Sequence, residues 1–358
     1  MFLCPYNNID TKGTHMHRIN KTFSSLLAVF ALASCAGGTD TFTYLDYQKQ
    51  DLDYVEDFRV LQMTDIHFGL ATNFAEEWVY FDNLISEANP DMMVLTGDMF
   101  MNASVDVVNK LYDYIDSKDI PWTVTFGNHD RQGFYTPQFI QGQKTYDKYD
   151  NCLYIDPNDN ISGHGNHYVN IMSGTNVEWQ VIMLDSGSYH LNDDGMTYDY
   201  DVIHEDQIAW YENVIKETNI AQYAVDDFDL LTPTQVIPSI AFFHIPLLEY
   251  VDAWEAWVAS GFDEAMGSGV YEDSGVYHGY YNSGFFAKAK ELGSTRGMYV
   301  GHDHTNDYTI NYEGIYLSYG VKTGRGIYHN PDMIGGQVIT LGDDGTVGLE
   351  RIFVAYEE

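Results

Sequence analysis

The sequence predicts a single α/β domain with a parallel core sheet and a second, more antiparallel sheet. Three features predict it. After Asp57, short β-type runs alternate with segments of helical periodicity, as in βαβ units. From Tyr308 onward the apolar runs are short and broken by turn residues, as in antiparallel hairpins. No internal repeat and no long linker divides the chain after residue 56.

The elements follow in order. "FRVLQMT" (Phe58 to Thr64) reads as the first strand, and Phe74, Trp78, Phe81 and Ile85 recur at helical spacing after it. "MMVLT" (Met92 to Thr96) is a buried-strand run. Val105, Val108, Leu111, Tyr112 and Ile115 mark a second amphipathic helix, and "WTVTF" (Trp122 to Phe126) a third strand. Arg131 to Val177 is long, polar and rich in Gly, Asn and Tyr, with no clear period. "EWQVIML" (Glu178 to Leu184) is a strand, and Ile208, Tyr211 and Ile215 suggest a helix. "SIAFF" (Ser239 to Phe243) and "GMYV" (Gly297 to Val300) are further strands. The tail supplies "YTI", "GIYLSY", "GGQVITL" and "GLERIFV", with turns at Glu313-Gly314 and Asp343-Asp344-Gly345.

Composition narrows the function. The 358 residues are 45% hydrophobic, enough for a sizeable core. Lys plus Arg is 17 against 53 Asp plus Glu, a net charge of −36 that repels nucleic acid phosphates and argues against binding them. The cysteines are Cys4, Cys35 and Cys152, with no CxxC pair, which disfavours a thiolate zinc site.

The first residues read as a targeting segment. From Met16, Arg18 and Lys21 precede an apolar stretch from Phe23 to Ala33, too short to span a membrane and of signal-peptide length. It ends in Leu32-Ala33-Ser34-Cys35, which resembles the bacterial lipobox, whose cysteine is acylated and becomes the mature N-terminus. Three regions are therefore expected: 1–34 as upstream residues and signal peptide, 35–56 as tether, and 57–358 as the folded domain. The protein is expected to be exported and anchored to a membrane through an acyl chain on Cys35. Removing residues 1–34 makes the chain still more acidic, so the anchor would have to act against repulsion from anionic headgroups.

The chemistry gathers at strand ends. Successive strands exit into Asp65-Ile66-His67, Gly97-Asp98, Gly127-Asn128-His129-Asp130, His244 and Gly301-His302-Asp303-His304. In a parallel α/β sheet those ends share one rim, where ligands bind. Gly97, Gly127 and Gly301 are expected to let the backbone turn tightly there. Carboxylate, imidazole and amide oxygen together suit Mn, Fe or Zn, whereas oxygen alone would suggest Mg or Ca. The donors suffice for two divalent ions, with one carboxylate as bridge. Asp-x-His and His-x-His place both donors of each pair on one side of an extended segment.

DxH, GD, GNHD, an isolated His after an apolar strand and GHDH, in this order over residues 65–304, resemble the calcineurin-like metallophosphoesterases. "FRVLQMTDIHFG", "WTVTFGNHD", "LDSGSY", "AFFHIPLLEY", "GHDHTND" and "YGVKTGRG" are similar to the compact purple-acid-phosphatase-like proteins of plants and fungi. The resemblance implies a four-layer α/β/β/α sandwich with mixed sheets. It also implies hydrolysis of small phosphorylated substrates, phosphomonoesters first, by a two-metal site. Asp65, His67, Asp98 and His304 would hold one ion, and Asp98, Asn128, His244 and His302 the other. His129 would approach the leaving-group oxygen to protonate it or stabilise its charge. Asp130 either orients that ring or serves as a structural acceptor. One position departs from the purple enzymes: Met101 stands where they have the tyrosine that colours their iron. A colourless site is expected.

Weaker candidates remain. Arg131 and Arg325 either grip a phosphate or form ordinary ion pairs. His164 and His167 either line the substrate rim or belong to a surface loop. Asp185 would support the site from a strand end, and Asp303 would back the histidines rather than bind metal. Two other functions stay open: phosphodiesterase action on nucleotides or lipid headgroups, and a surface lipoprotein that binds a ligand with a dead site.

Overall fold

The computed structural model describes residues 43–132, 136–137, 145–157 and 160–355. Asp40–Glu358 forms one compact unit. The expected signal segment and the expected acylation site, Cys35, lie outside the described residues.

Among the described residues fifteen strands follow in chain order: β1 Leu52–Asp53, β2 Phe58–Met63, β3 Met92–Thr96, β4 Trp122–Thr125, β5 His167–Ser173, β6 Asn176–Met183, β7 Tyr189–Leu191, β8 Tyr198–Tyr200, β9 Ser239–Phe242, β10 Gly267–Ser268, β11 Thr295–Val300, β12 Thr309–Tyr312, β13 Ile315–Tyr319, β14 Gly335–Leu341 and β15 Val347–Phe353. Five α-helices are described: α1 Phe74–Ala88, α2 Val105–Asp116, α3 Glu205–Tyr223, α4 Glu249–Ala259 and α5 Phe285–Leu292. The strands form a sheet in the order β15-β14-β2-β3-β4, an eight-stranded sheet in the order β1-β5-β6-β9-β11-β13-β12-β10, and the small ribbon β7-β8.

The four layers follow from side-chain alternation along the strands. In β2 and β3, Leu61, Met63, Met93 and Leu95 join α1 and α2 in one apolar cluster. Their neighbours Val60, Met92 and Val94 face the other sheet, packing with Val181, Met183, Ile240, Phe242 and Tyr299. The opposite faces of those strands, with Ile182, Ala241 and Met298, pack against α3, α4 and α5. Helices therefore cover both outer faces and the two sheets meet in the middle: an α/β/β/α sandwich. Gln62, fully buried between the sheets, donates from Nε2 to the carbonyl of Val300 at 3.0 Å.

The structure corrects several expectations. The parallel strands are not one sheet. β2, β3 and β4 run parallel in one, and β6, β9, β11 and β13 in the other. The tail is shared too: β12 and β13 pair antiparallel in the larger sheet, while β14 pairs antiparallel with β2 in the smaller. The polar region 131–177 contains β5, hidden because it is buried on both faces and shows no period of two. The tether, expected over 35–56, is docked from Tyr44. Tyr47 is buried with its ring 5.4 Å from that of Trp210, and Leu52 pairs with Ile171.

Candidate metal centre

Five strand ends, three from the smaller sheet and two from the larger, converge on one buried cluster. Asp65, His67, Asp98 and His304 bring ligand atoms within 4.8 Å of one another, and so do Asp98, His244 and His302. Asp98 belongs to both groups. Its Oδ1 accepts the amide of His129 at 2.7 Å, which leaves Oδ2 facing inward. Oδ2 lies 3.2 Å from His244 Nε2 on one side and 3.8 Å from His67 Nε2 on the other.

The backbone is forced at these positions. Asp65, His67, Asp98 and His302 have φ of 54°, 53°, 49° and 81°. A non-glycine residue in the left-handed region costs on the order of 1 kcal/mol or more, and such strain gathers at functional sites. Around His302 the amide of Asp303 donates to the carbonyl of Gly301 at 3.0 Å, a tight three-residue γ-turn. The pairs Asp65/His67 and His302/His304 therefore do not lie on extended segments, as alternation had suggested. The turns send His302 and His304 to different groups. His129 opens a 3-10 helix, His129–Arg131.

The glycines serve two purposes. Gly97 has φ of 78°, as expected of a tight turn. Gly127 and Gly301 leave room instead. A Cβ on Gly127 would fall 2.8 Å from Asp98 Cγ, and one on Gly301 2.6 Å from Asp65 Oδ2.

Each side chain is held by identifiable partners. Asp65 Oδ2 accepts from Thr64 Oγ1 at 2.8 Å and from the amide of His302 at 3.0 Å. Its Oδ1 has no hydrogen-bond partner and points at His304 Nε2, 3.4 Å away. His304 Nδ1 donates to the carbonyl of Tyr328 at 2.9 Å, and His244 Nδ1 to that of Thr96 at 3.0 Å. Both bonds leave Nε2 free to offer a lone pair inward. Asn128 Nδ2 donates to Tyr189 Oη at 3.1 Å, so its Oδ1 is the inward atom, buried and unpartnered. His129 Nδ1 bonds Gln132 Oε1 at 3.0 Å. The His129 side chain is 24% exposed and its Nε2 lies 4.0 Å from Asp98 Oδ2.

Asp130 does not orient the His129 ring. Its carboxylate accepts the amides of Gly127 at 2.9 Å and Phe100 at 3.0 Å, tying two strand-end loops together. It is the structural acceptor of the two alternatives. Burial, reinforced by the charge of Asp98, pushes its carboxyl up to about 8.

Electrostatics show what the cluster lacks. Asp65 and Asp98 are each 1% exposed, and no Lys or Arg side chain reaches either carboxylate among the described residues. Lys322 Nζ bonds only the backbone carbonyl of Asp65. Burial would raise both carboxyls, but the imidazoles beside them outweigh it and hold both below the usual range. In the same way burial would depress His244, but the charge of Asp98 overrides it and lifts the imidazole to about 10. Burial dominates at His67 and His302, pushed down to about 4 and about 3.

The donor set fits two cations. His67 Nε2 and His304 Nε2 stand 3.0 Å apart, with Asp65 Oδ1 unpartnered beside them. His302 Nδ1 and His244 Nε2 are 3.3 Å apart, with Asn128 Oδ1 unpartnered. Two nitrogens at such a spacing suit one ion bound by each at about 2.0–2.1 Å. Buried carboxylates without a cation carry a large desolvation cost, which an ion would offset.

The remaining candidates fall outside the cluster. Arg325 pairs with Glu77 at 2.9 Å and Glu76 at 3.4 Å. His167, fully buried on β5, bonds Thr123 and the carbonyl of Gly165, so it lines no rim. Asp303 accepts from Tyr319 Oη at 2.5 Å and supports the last loop. Asp307 accepts the amide of Val270 at 2.6 Å. Arg131 pairs with Asp185. Sequence reasoning missed Tyr189, Tyr200 and Tyr328. Tyr200 sits edge-on to His302 at 4.3 Å and Tyr328 stacks on His304 at 4.2 Å. In a chain with 29 tyrosines no local signal separates these three from the rest.

Known proteins are similar to this chain. The calcineurin-like phosphoesterase family model matches residues 58–306. "Probable inactive purple acid phosphatase 14" of Arabidopsis thaliana is 28% identical over 347 residues, covering 87% of this chain and 81% of its own. "Phosphatase DCR2" of Saccharomyces cerevisiae is 28% identical over 292 residues, covering 74% of this chain and 47% of its own. The crystal structure of a dimetal phosphatase from Danio rerio superposes with a TM-score of 0.49 at 11% identity, over 82% of this chain and 99% of that one.

Proposed function

The chain belongs to the calcineurin-like phosphoesterases and is a metal-dependent phosphoesterase, and within that family we propose that it hydrolyses phosphomonoesters outside the cytoplasm, tethered to a membrane through Cys35. The observation that carries the catalytic reading is the shared Asp98, whose Oδ2 stands between a group with His67 and a group with His244.

Bound ions would act as Lewis acids on the phosphoryl oxygens and lower the pKa of water at the site. Mn, Fe and Zn suit the mixed oxygen and nitrogen donors, with Asp65, His67, Asp98 and His304 around one ion and Asp98, Asn128, His244 and His302 around the other. The chain's own groups do the rest. Tyr328 and Thr96 carbonyls fix the His304 and His244 tautomers. Asp130 locks the loop that carries Asn128 and His129. His129, the most open imidazole of the cluster, would meet the leaving-group oxygen and transfer a proton to it.

The Arabidopsis relative is named "probable inactive", so a dead binding protein is the second reading. The full donor set and its unpartnered inward atoms favour activity here. The test is turnover of p-nitrophenyl phosphate against bis-p-nitrophenyl phosphate with added Mn or Zn and with chelator, alongside metal content. Turnover of the monoester that chelation abolishes supports the proposal. Preference for the diester replaces it with phosphodiesterase action, and no turnover with any metal replaces it with a binding protein. The tether rests on the Leu32–Cys35 sequence alone. Mass spectrometry finding residue 35 unmodified in the exported protein would remove it.

A further inference from the structure

A cavity of about 360 Å³ opens beside the metal centre, between the 3-10 helix that follows Asn128, the β7-β8 ribbon and the start of α3. Its size falls within the roughly 300–1,000 Å³ of small-molecule sites. Arg131, His164, Asp185, Tyr189, Asp201 and His204 line it. It shares a wall with the cluster, because Tyr189 Oη bonds Asn128 Nδ2 at 3.1 Å and Ser188 Oγ donates to the carbonyl of Asn128 at 3.3 Å.

The wall chemistry is selective. Each cationic or titratable donor is matched to a carboxylate: Arg131 to Asp185, His204 Nε2 to Asp201 Oδ1 at 3.1 Å, and His164 Nδ1 to Asp156 Oδ2 at 3.5 Å. With one arginine against three carboxylates, the cavity is at best neutral even when both imidazoles are protonated. A second anionic group on the substrate is therefore disfavoured. The pairs still have unused hydrogen-bonding positions. The Arg131 side chain is still 19% exposed beside its pairing with Asp185, and each imidazole has its other nitrogen outside the ion pair. Charged groups locked in pairs, with donors to spare, suit hydroxyl groups. Tyr189, 43% exposed and stacked on Tyr200 at 5.4 Å, adds a flat apolar face against which C–H groups of a ring can pack.

We propose that this cavity receives the leaving group of the substrate and that the leaving group is a neutral polyhydroxylated ring, so that the enzyme acts on sugar- or cyclitol-type phosphomonoesters. The inference rests on the phosphomonoesterase reading. Arg131 and His204 are specificity residues that touch the hydroxyls, and Tyr189 supplies the face.

The test compares glucose 6-phosphate with n-hexyl phosphate, its hydroxyl-free counterpart, and with adenosine monophosphate. kcat/KM is measured on the metal-loaded protein, and binding of each by calorimetry. Two hydrogen bonds of ordinary net strength correspond to a preference of about ten- to hundred-fold for glucose 6-phosphate over the hexyl ester. His204→Ala, at a partly exposed position, is expected to raise KM for glucose 6-phosphate and shrink that preference while kcat changes little. Equal kcat/KM for the glucose and hexyl esters, unchanged in His204→Ala, overturns the subsite while leaving phosphatase action intact. Stronger selection of adenosine monophosphate also overturns it, assigning Tyr189 to base stacking. If nothing is turned over, the phosphatase reading fails, and calorimetry still decides the cavity. Binding of glucose 6-phosphate that is weakened in His204→Ala sustains the hydroxyl site, and equal binding of all three esters ends it.

Discussion

Replacing Gly301 with alanine tests whether the cluster depends on backbone approach. A Cβ there would fall 2.6 Å from Asp65 Oδ2, 3.2 Å from His244 Nδ1 and closer still to Thr64 Oγ1. An ordinary contact needs about 3.5 Å, so Thr64 must retreat by about 1.5 Å or the last loop must lift. Thr64 Oγ1 holds two bonds of 2.8 Å, to Asp65 Oδ2 and to the carbonyl of Thr96. Overpacking costs about 1–3 kcal/mol and each lost hydrogen bond about 0.5–1.5 kcal/mol, for a total on the order of 2–6 kcal/mol. In a domain of this size that lowers Tm by about 5–10 °C. Metal affinity should fall by about 10- to 100-fold, as for other losses of ligand support. The assays are thermal unfolding and metal content after dialysis against a weak chelator. Gly275→Ala is the control, because a Cβ there meets nothing within 4 Å. It should stay within about 0.5 kcal/mol of the parent. A Gly301→Ala protein with parental Tm and full metal content would refute the reasoning.

Three further outcomes are expected. Asp98→Asn should lose metal from both positions, because Asp98 belongs to both donor groups, whereas Asp303→Asn should keep both ions since Asp303 bonds Tyr319. Elemental analysis showing one ion retained in Asp98→Asn counts against the bridge. Burial holds His167 down at about 4. The unfolded chain therefore takes up the proton first, and stability falls as pH drops from about 6.5 toward 4 and then levels off, by on the order of a few kcal/mol. Denaturant titrations of the parent and His167→Gln should show this slope in the parent and a shallower one in the variant; identical slopes would exclude His167 as the cause. Finally, protein loaded with iron should show no visible tyrosinate charge-transfer band, since Met101 occupies the position of the colouring tyrosine. A purple preparation would mean that another tyrosine binds the metal.

Local chemistry was legible wherever a motif was continuous in sequence. The strands before Asp65, Asp98, Asn128 and His302 announce themselves by apolar runs ending in polar residues, and all four residues reach the cluster. The double-sheet architecture was less legible, because β2 and β11 carry similar apolar patterns and nothing in either says which partners it pairs with. β5 went unread because both its faces are buried. Asp130 looked like part of the chemistry by adjacency, yet two backbone amides claim its carboxylate.

By itself, then, the sequence determined the kinds of candidate donor, their order along the chain and their placement after strands, because these depend on residues that are neighbours. The tertiary structure alone decided which atoms meet. Left-handed turns at Asp65, His67, Asp98 and His302 aim the side chains. The packing of two sheets sets Asp98 Oδ2 between His67 and His244. The same packing brings Arg131, Tyr189 and His204 to one cavity wall beside Asn128. Such meetings depend on long-range pairing and on carbonyls such as those of Tyr328 and Thr96, whose positions no local pattern records.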